Sequence, residues 1–94
     1  MSKIGILVAS SNNNLKLGLK LQELAKSRNY EVELINLVDL RLPLYSTIEE
    51  QENGIPESAL DLATKILALN AFIIVAPEYN GVMPPVLNNA MAWT

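Results

Sequence analysis

Apolar residues fill both alternating faces of Lys3 to Ala9 (KIGILVA). A strand reads this way when helices cover both sides of its sheet. The polar run Ser10-Ser11-Asn12-Asn13-Asn14 follows as a loop. From Leu15 to Arg28 the period becomes helical. Leu17, Leu21, Leu24 and Ala25 share one face, and Lys16, Lys20, Gln22, Glu23 and Lys26 lie mostly on the other. An asparagine among 12 to 14 is the expected N-cap. Tyr30 to Leu37 (YEVELINL) begins as a strict alternation, with Tyr30, Val32 and Leu34 against Glu31 and Glu33. A half-polar strand suits a sheet edge. Residues 38 to 55 hold no long periodic run, and EEQENG within them reads as a solvated acidic loop. Pro56 fits a first helical position. Ala59, Leu62, Ala63, Ile66 and Leu67 then form an amphipathic stripe that Asn70 ends. Ala71 to Ala76 is a second fully apolar strand. Pro84 starts a last helix with Val86, Leu87, Ala90 and Met91 on one side.

The expected order is β-α-β-α-β-α. Right-handed crossovers make this an α/β fold, a parallel sheet with helices on both faces. With strand 2 at an edge and strands 1 and 3 central, the strand order is 2-1-3, the start of a flavodoxin-like sheet. Strand 3 is as apolar as strand 1 and calls for a neighbour on its far side, which these residues do not supply. Residues 1–94 therefore read as a single partial flavodoxin-like domain, with the later strands missing from this chain.

Composition narrows the chemistry. The net charge is −3, from seven basic and ten acidic residues, and no basic run exists. Nucleic acid and anionic membranes are poor partners for such a chain. There is no cysteine and no histidine, which removes disulfides, thiol catalysis, zinc sites and imidazole acid–base work. No metal site is expected. The N-terminal apolar run is too short for a signal peptide, and no apolar stretch is long enough to cross a bilayer. A cytoplasmic location fits these features. After Lys65 the only charged side chain is Glu78, so residues 66 to 94 read as a segment covered on most sides.

Ligands of such sheets bind beyond the carboxyl ends of the strands, where the strand order reverses. Two loops meet that point, Ser10 to Asn14 and Pro77 to Met83. The first offers hydroxyls, amides and a helix N-terminus to a phosphate, or simply caps its helix. It carries neither G-x-G-x-x-G nor G-x-x-x-x-G-K-[ST]. The second, APEYNGVMPP, is dense in turn formers. Gly81 permits a close backbone approach, and Tyr79 offers a ring. A planar polar ligand and an ordinary strand-to-helix turn both explain that composition.

The stretch PEYNGVMPPVLNNAMAW (77 to 93) resembles the signature of the NAD(P)H-dependent FMN reductase family, of flavodoxin-like fold. ALDLATKILALNAFIIVA and VELINLVDLRLPLY extend the resemblance upstream. It covers nearly all of the chain but about half of a family domain of usual size. The resemblance implies that Pro77, Glu78, Tyr79, Asn80 and Gly81 hold the isoalloxazine ring of FMN, largely through backbone groups. It also implies that Ser10, Asn12 and Asn14 bind the FMN phosphate. Several positions depart from the family pattern. Ala9 replaces a glycine, the first loop lacks its Arg, Asn88 stands where Lys is usual, and Ala92 where an acid is usual.

By that resemblance the chain is an FMN-binding oxidoreductase. It takes hydride from NADPH or NADH and passes it to a small-molecule electron acceptor of flavin or quinone type. No side-chain acid or base is required, so no catalytic residue is assigned. The rival reading is a shortened, non-enzymatic module that assembles through its strand 3 edge and last helix. The expected partner is a second copy, as a homo-oligomer, or a complementing second half. A phospho-receiver is disfavoured, because Ser10, Ser11 and Pro77 stand where its acids belong.

Overall fold

β1 (Lys3–Val8) lies between β2 (Glu31–Asn36) and β3 (Ala71–Val75), and all pairings are parallel. The order β2-β1-β3 is the one its apolar patterning predicts. This computed structural model describes residues 3–77 and 83–94. Ile6 and Val8 of β1 and Val75 of β3 face α1 (Asn13–Ser27), against Leu15, Leu21, Val32 and Leu34. Leu7, Ala9, Ile35 and Leu37 face the other way. They pack under Leu62 of α3 (Glu57–Leu67) and under Leu87 and Ala90 of α4 (Pro85–Trp93).

The inward stripe of α1 differs from the expected leucine face. Gly18 is its buried residue, Leu21 and Ala25 are half-buried, and Leu17 and Leu24 are about half exposed, at 51% and 50%. The reason is close packing. A Cβ at Gly18 would stand 2.7 Å from Val8 Cγ2, so the helix meets the sheet through its glycine and the larger side chains flank the contact. α1 ends in a Schellman turn. Tyr30 N–H donates to the Ala25 carbonyl and Asn29 N–H to that of Lys26 (3.1 and 3.0 Å), with Asn29 at φ 66°.

Residues 38 to 55 are not all loop. Thr47–Asn53 forms a short helix, α2, inside the stretch read as a solvated acidic loop. The Ser46 side chain accepts from Glu49 N–H at 3.0 Å. Glu49 and Glu50 sit in the first turn, where the helix dipole favours acids. Gly54, at φ 73°, closes the other end. Two strand and helix ends and one helix face also differ from expectation. α3 stops at Leu67, and Asn70 instead joins β3 to β1, accepting from Lys3 N–H at 2.8 Å through its side chain. β3 stops at Val75, before Ala76. In α4, Trp93 is buried with Leu87 and Ala90, while Met91, expected on the inner side, is 51% exposed.

Candidate functional site

The last rung between β1 and β3 is the bond from Ala9 N–H to the Val75 carbonyl, at 3.0 Å. Val8 pairs with Val75. Ser10 and Pro77 each lie two residues farther on, so they leave the sheet at the same height on neighbouring strands. This is the point where the strand order reverses. α1 starts three residues after Ser10. Asn12 is its N-cap, and its carbonyl accepts from the N–H groups of Leu15 and Lys16 at 3.1 and 3.3 Å. Its side chain makes no capping bond, unlike Ser46 at the start of α2. The first N–H groups of α1 therefore lack a side-chain cap, at the positive end of the helix dipole.

A shallow depression of about 490 Å³ opens beside this turn, lined by Ser11, Asn12, Asn13 and Lys16 among others. Of the three residues expected at a phosphate, only Asn12 lines it. Ser10 and Asn14 are half-buried next to it in the chain. Lys16 was not among the expected residues. Its place one turn into the helix puts a cation at this depression, in a loop that has no earlier one. Of the expected ring-binding residues the structure places Pro77. Glu78, Tyr79, Asn80 and Gly81 lie outside the described residues.

A second cluster joins the last helix to the loop after β2. Asn89 Oδ1 accepts from Tyr45 N–H at 2.7 Å. Asn89 Nδ2 donates to the Pro43 carbonyl at 2.9 Å. Trp93 Nε1–H donates to that same carbonyl at 2.7 Å. The Tyr45 and Trp93 rings meet edge to face with centroids 4.9 Å apart. Tyr45 OH donates to Glu50 Oε1 at 2.9 Å. That hydrogen bond, then the nearby carboxylate charge and burial, raise the Tyr45 pKa above its ordinary value. Thus Asn89 and Trp93, both within the signature-like stretch, are anchors of backbone. Asn88, at the position where Lys is usual, is exposed, as is Ala92. Glu50, expected to be merely solvated, fixes Tyr45.

Among the described residues no group of acidic side chains is placed to hold a metal ion. No described helix is long and apolar enough to cross a membrane.

Comparison with known proteins agrees with this fold. A family described as NADPH-dependent FMN reductase matches residues 2–94. A 2-hydroxy-1,4-benzoquinone reductase from a Burkholderia species is 34% identical over 94 residues, 97% of this chain and 49% of that protein. A quinone reductase from Escherichia coli K12 is 40% identical over 52 residues, 55% of this chain and 28% of its own length. Among solved structures, the flavoenzyme NAD(P)H:(acceptor) oxidoreductase FerB from Paracoccus denitrificans superposes with a TM-score of 0.78 at 31% identity. That match covers 99% of this chain and 50% of FerB. The chain thus spans about half the length, or less, of these relatives.

Proposed function

We propose, from the premise that this chain belongs to the NADPH-dependent FMN reductase family, that it supplies the flavin-binding loops of an NAD(P)H-dependent quinone-type reductase. The observation that carries this reading is the α1 N-terminus, which has no side-chain cap and stands level with Pro77 where β1 and β3 end. A phosphate finds there the free N–H groups and dipole that such a helix start offers. Asn12 and Asn13 line the depression beside it, and Lys16 brings a charge. Ser10 and Asn14 flank the same turn. The residues therefore fit the phosphate end of FMN.

Pro77, Glu78, Tyr79, Asn80 and Gly81 are the proposed ring-binding segment. They follow β3, and the ring would lie across the reversal point from the phosphate turn. FMN, when bound, supplies the hydride chemistry between NADPH or NADH and a small quinone-type acceptor. The chain's own part is to bind and orient. No described side chain is needed as acid or base. The relatives named as quinone reductases support this choice of acceptor.

The test is turnover. With FMN and a benzoquinone present, the purified chain is expected to speed NADPH oxidation beyond the rate of free FMN at the same concentration. A rate equal to that of free FMN, at protein concentrations that saturate FMN binding, overturns the proposal.

A further inference from the structure

α4 carries no charged residue and starts without a side-chain cap. Leu87 and Ala90 hold it against Leu7, Ala9, Ile35 and Leu37 by apolar contact, which is non-directional. Hydrogen bonds add the direction. Among the described residues, the α4 side chains that bond to another part of the chain are Asn89 and Trp93. Both bond to the stretch Leu42 to Tyr45. That stretch is itself held. Leu40 and Leu42 pack against the core, and the Tyr45 hydroxyl donates to Glu50 of α2.

α4 is also where the proposed ring-binding segment rejoins the fold. Upstream of that segment, Val75 is buried and its carbonyl accepts from Ala9 N–H. Downstream of it, Pro84 is fully buried, and its carbonyl accepts from the N–H groups of Leu87 and Asn88 at 3.0 and 3.3 Å. Pro84 and Asn89 are about one and a half turns apart on one helix, so a shift of α4 at Asn89 is carried to Pro84.

From these features we infer that Asn89, assisted by Trp93, is a positioning residue for the flavin ring. By tying α4 to Leu42–Tyr45 it sets the height and rotation of the helix, and with them the point to which the ring-binding segment returns. The inference rests on the flavin-binding reading above and adds to it a residue outside both loops. The role requires no contact between Asn89 and flavin. A binding group has to be held to within about 0.5 Å of its productive place, so a small displacement of α4 is felt at the ring. The turn from Ser10 to Asn14 hangs on β1 and α1 and does not depend on α4. Loss of Asn89 therefore acts on what FMN and riboflavin share, the ring, and leaves the difference between them, the phosphate, untouched.

The experiment titrates the 94-residue chain into FMN and into riboflavin, following fluorescence quenching at a temperature where circular dichroism shows each variant folded. Asn89→Ala is expected to weaken both flavins by the same factor, about fivefold. Val32→Ala serves as the control for stability alone. Val32 packs on the α1 face and pairs with Ile4, away from the strand ends that meet the site, and its loss is expected to leave both affinities unchanged. Trp93→Phe removes one of the two side-chain bonds to the Pro43 carbonyl and is expected to weaken both flavins about twofold. It decides the matter if Asn89→Ala does not fold. A folded Asn89→Ala that binds both flavins as tightly as the parent overturns this inference alone. So does one that weakens FMN and spares riboflavin, or a Val32→Ala that weakens both as much. A parent chain that quenches neither flavin overturns the flavin-binding reading and this inference with it.

Discussion

Asn89 uses both ends of its side-chain amide on one stretch of backbone, from Pro43 to Tyr45. Trp93 adds a third bond to the same stretch. Removing Asn89 leaves the half-buried Tyr45 N–H without its acceptor, so Asn89→Ala is expected to cost about 2 kcal/mol. Trp93→Phe leaves the Pro43 carbonyl still bonded to Asn89, and should cost less, about 1 kcal/mol for the lost bond. Urea unfolding of the two variants checks the order. Tyr45 gives a pH test. Its pKa is raised in the fold, so the neutral phenol is the form that the fold favours. Its contribution is fully present below the ordinary tyrosine value of 10.0 and is lost as pH rises through the raised value. Tyr45→Phe should therefore remove part of the alkaline loss of stability above that pH and leave the neutral-pH slope unchanged, read from melts across the range. In the sequence, Asn89 and Trp93 were legible only as parts of a family-like stretch. Their partners sit 44 and 50 residues away in a segment without periodicity, and no local pattern reports a hydrogen bond of that span.

The elements followed the hydrophobic rhythm where they are long enough to show one. β1 and β3 were legible because both their faces are apolar, and α3 because its stripe recurs over eleven residues. α2 has only seven residues and buries none of them, so no stripe could mark it. Its sign was instead local: Ser46 followed three residues later by Glu49, the cap-box spacing. The face of α1 was misread for a different reason. Several leucines compete for the inward position, and the glycine between them wins because it lets the helix approach Val8. Gly18→Ala thus sets two effects against each other. Alanine gains about 1 kcal/mol of helix propensity, while the crowded Cβ costs about 1–3 kcal/mol in a packed contact. A net loss of about 1 kcal/mol is expected by urea unfolding, with a larger loss for Gly18→Leu. At the other end of α1, Asn29→Gly relieves the left-handed backbone and should be neutral or stabilising, whereas Asn29→Ala should cost about 1 kcal/mol.

At the scale of the whole molecule, three parallel strands in the order 2-1-3 bring the carboxyl ends of β1 and β3 side by side. The order was legible because strand 2 carries glutamates and strand 3 carries none. β3 itself is apolar on both faces, and among the described residues Phe72, Ile73 and Ile74 stay partly exposed. The turn from Ser10 to Asn14 was legible as a helix start, but not the missing side-chain cap at Asn12 or the place of Lys16, because both depend on how α1 leaves the sheet. That turn also allows a directed change. Asn13→Arg adds a cation at the depression and should tighten FMN more than riboflavin, which lacks the phosphate. The central claim, that these 94 residues carry the flavin-binding loops of their family, is tested most directly by titrating the purified chain into FMN and into riboflavin and following the quenching of flavin fluorescence. Saturable quenching with tighter binding of FMN than of riboflavin is the predicted result. Unquenched FMN at saturating concentrations of folded chain, or equal affinity for the two flavins, would contradict it.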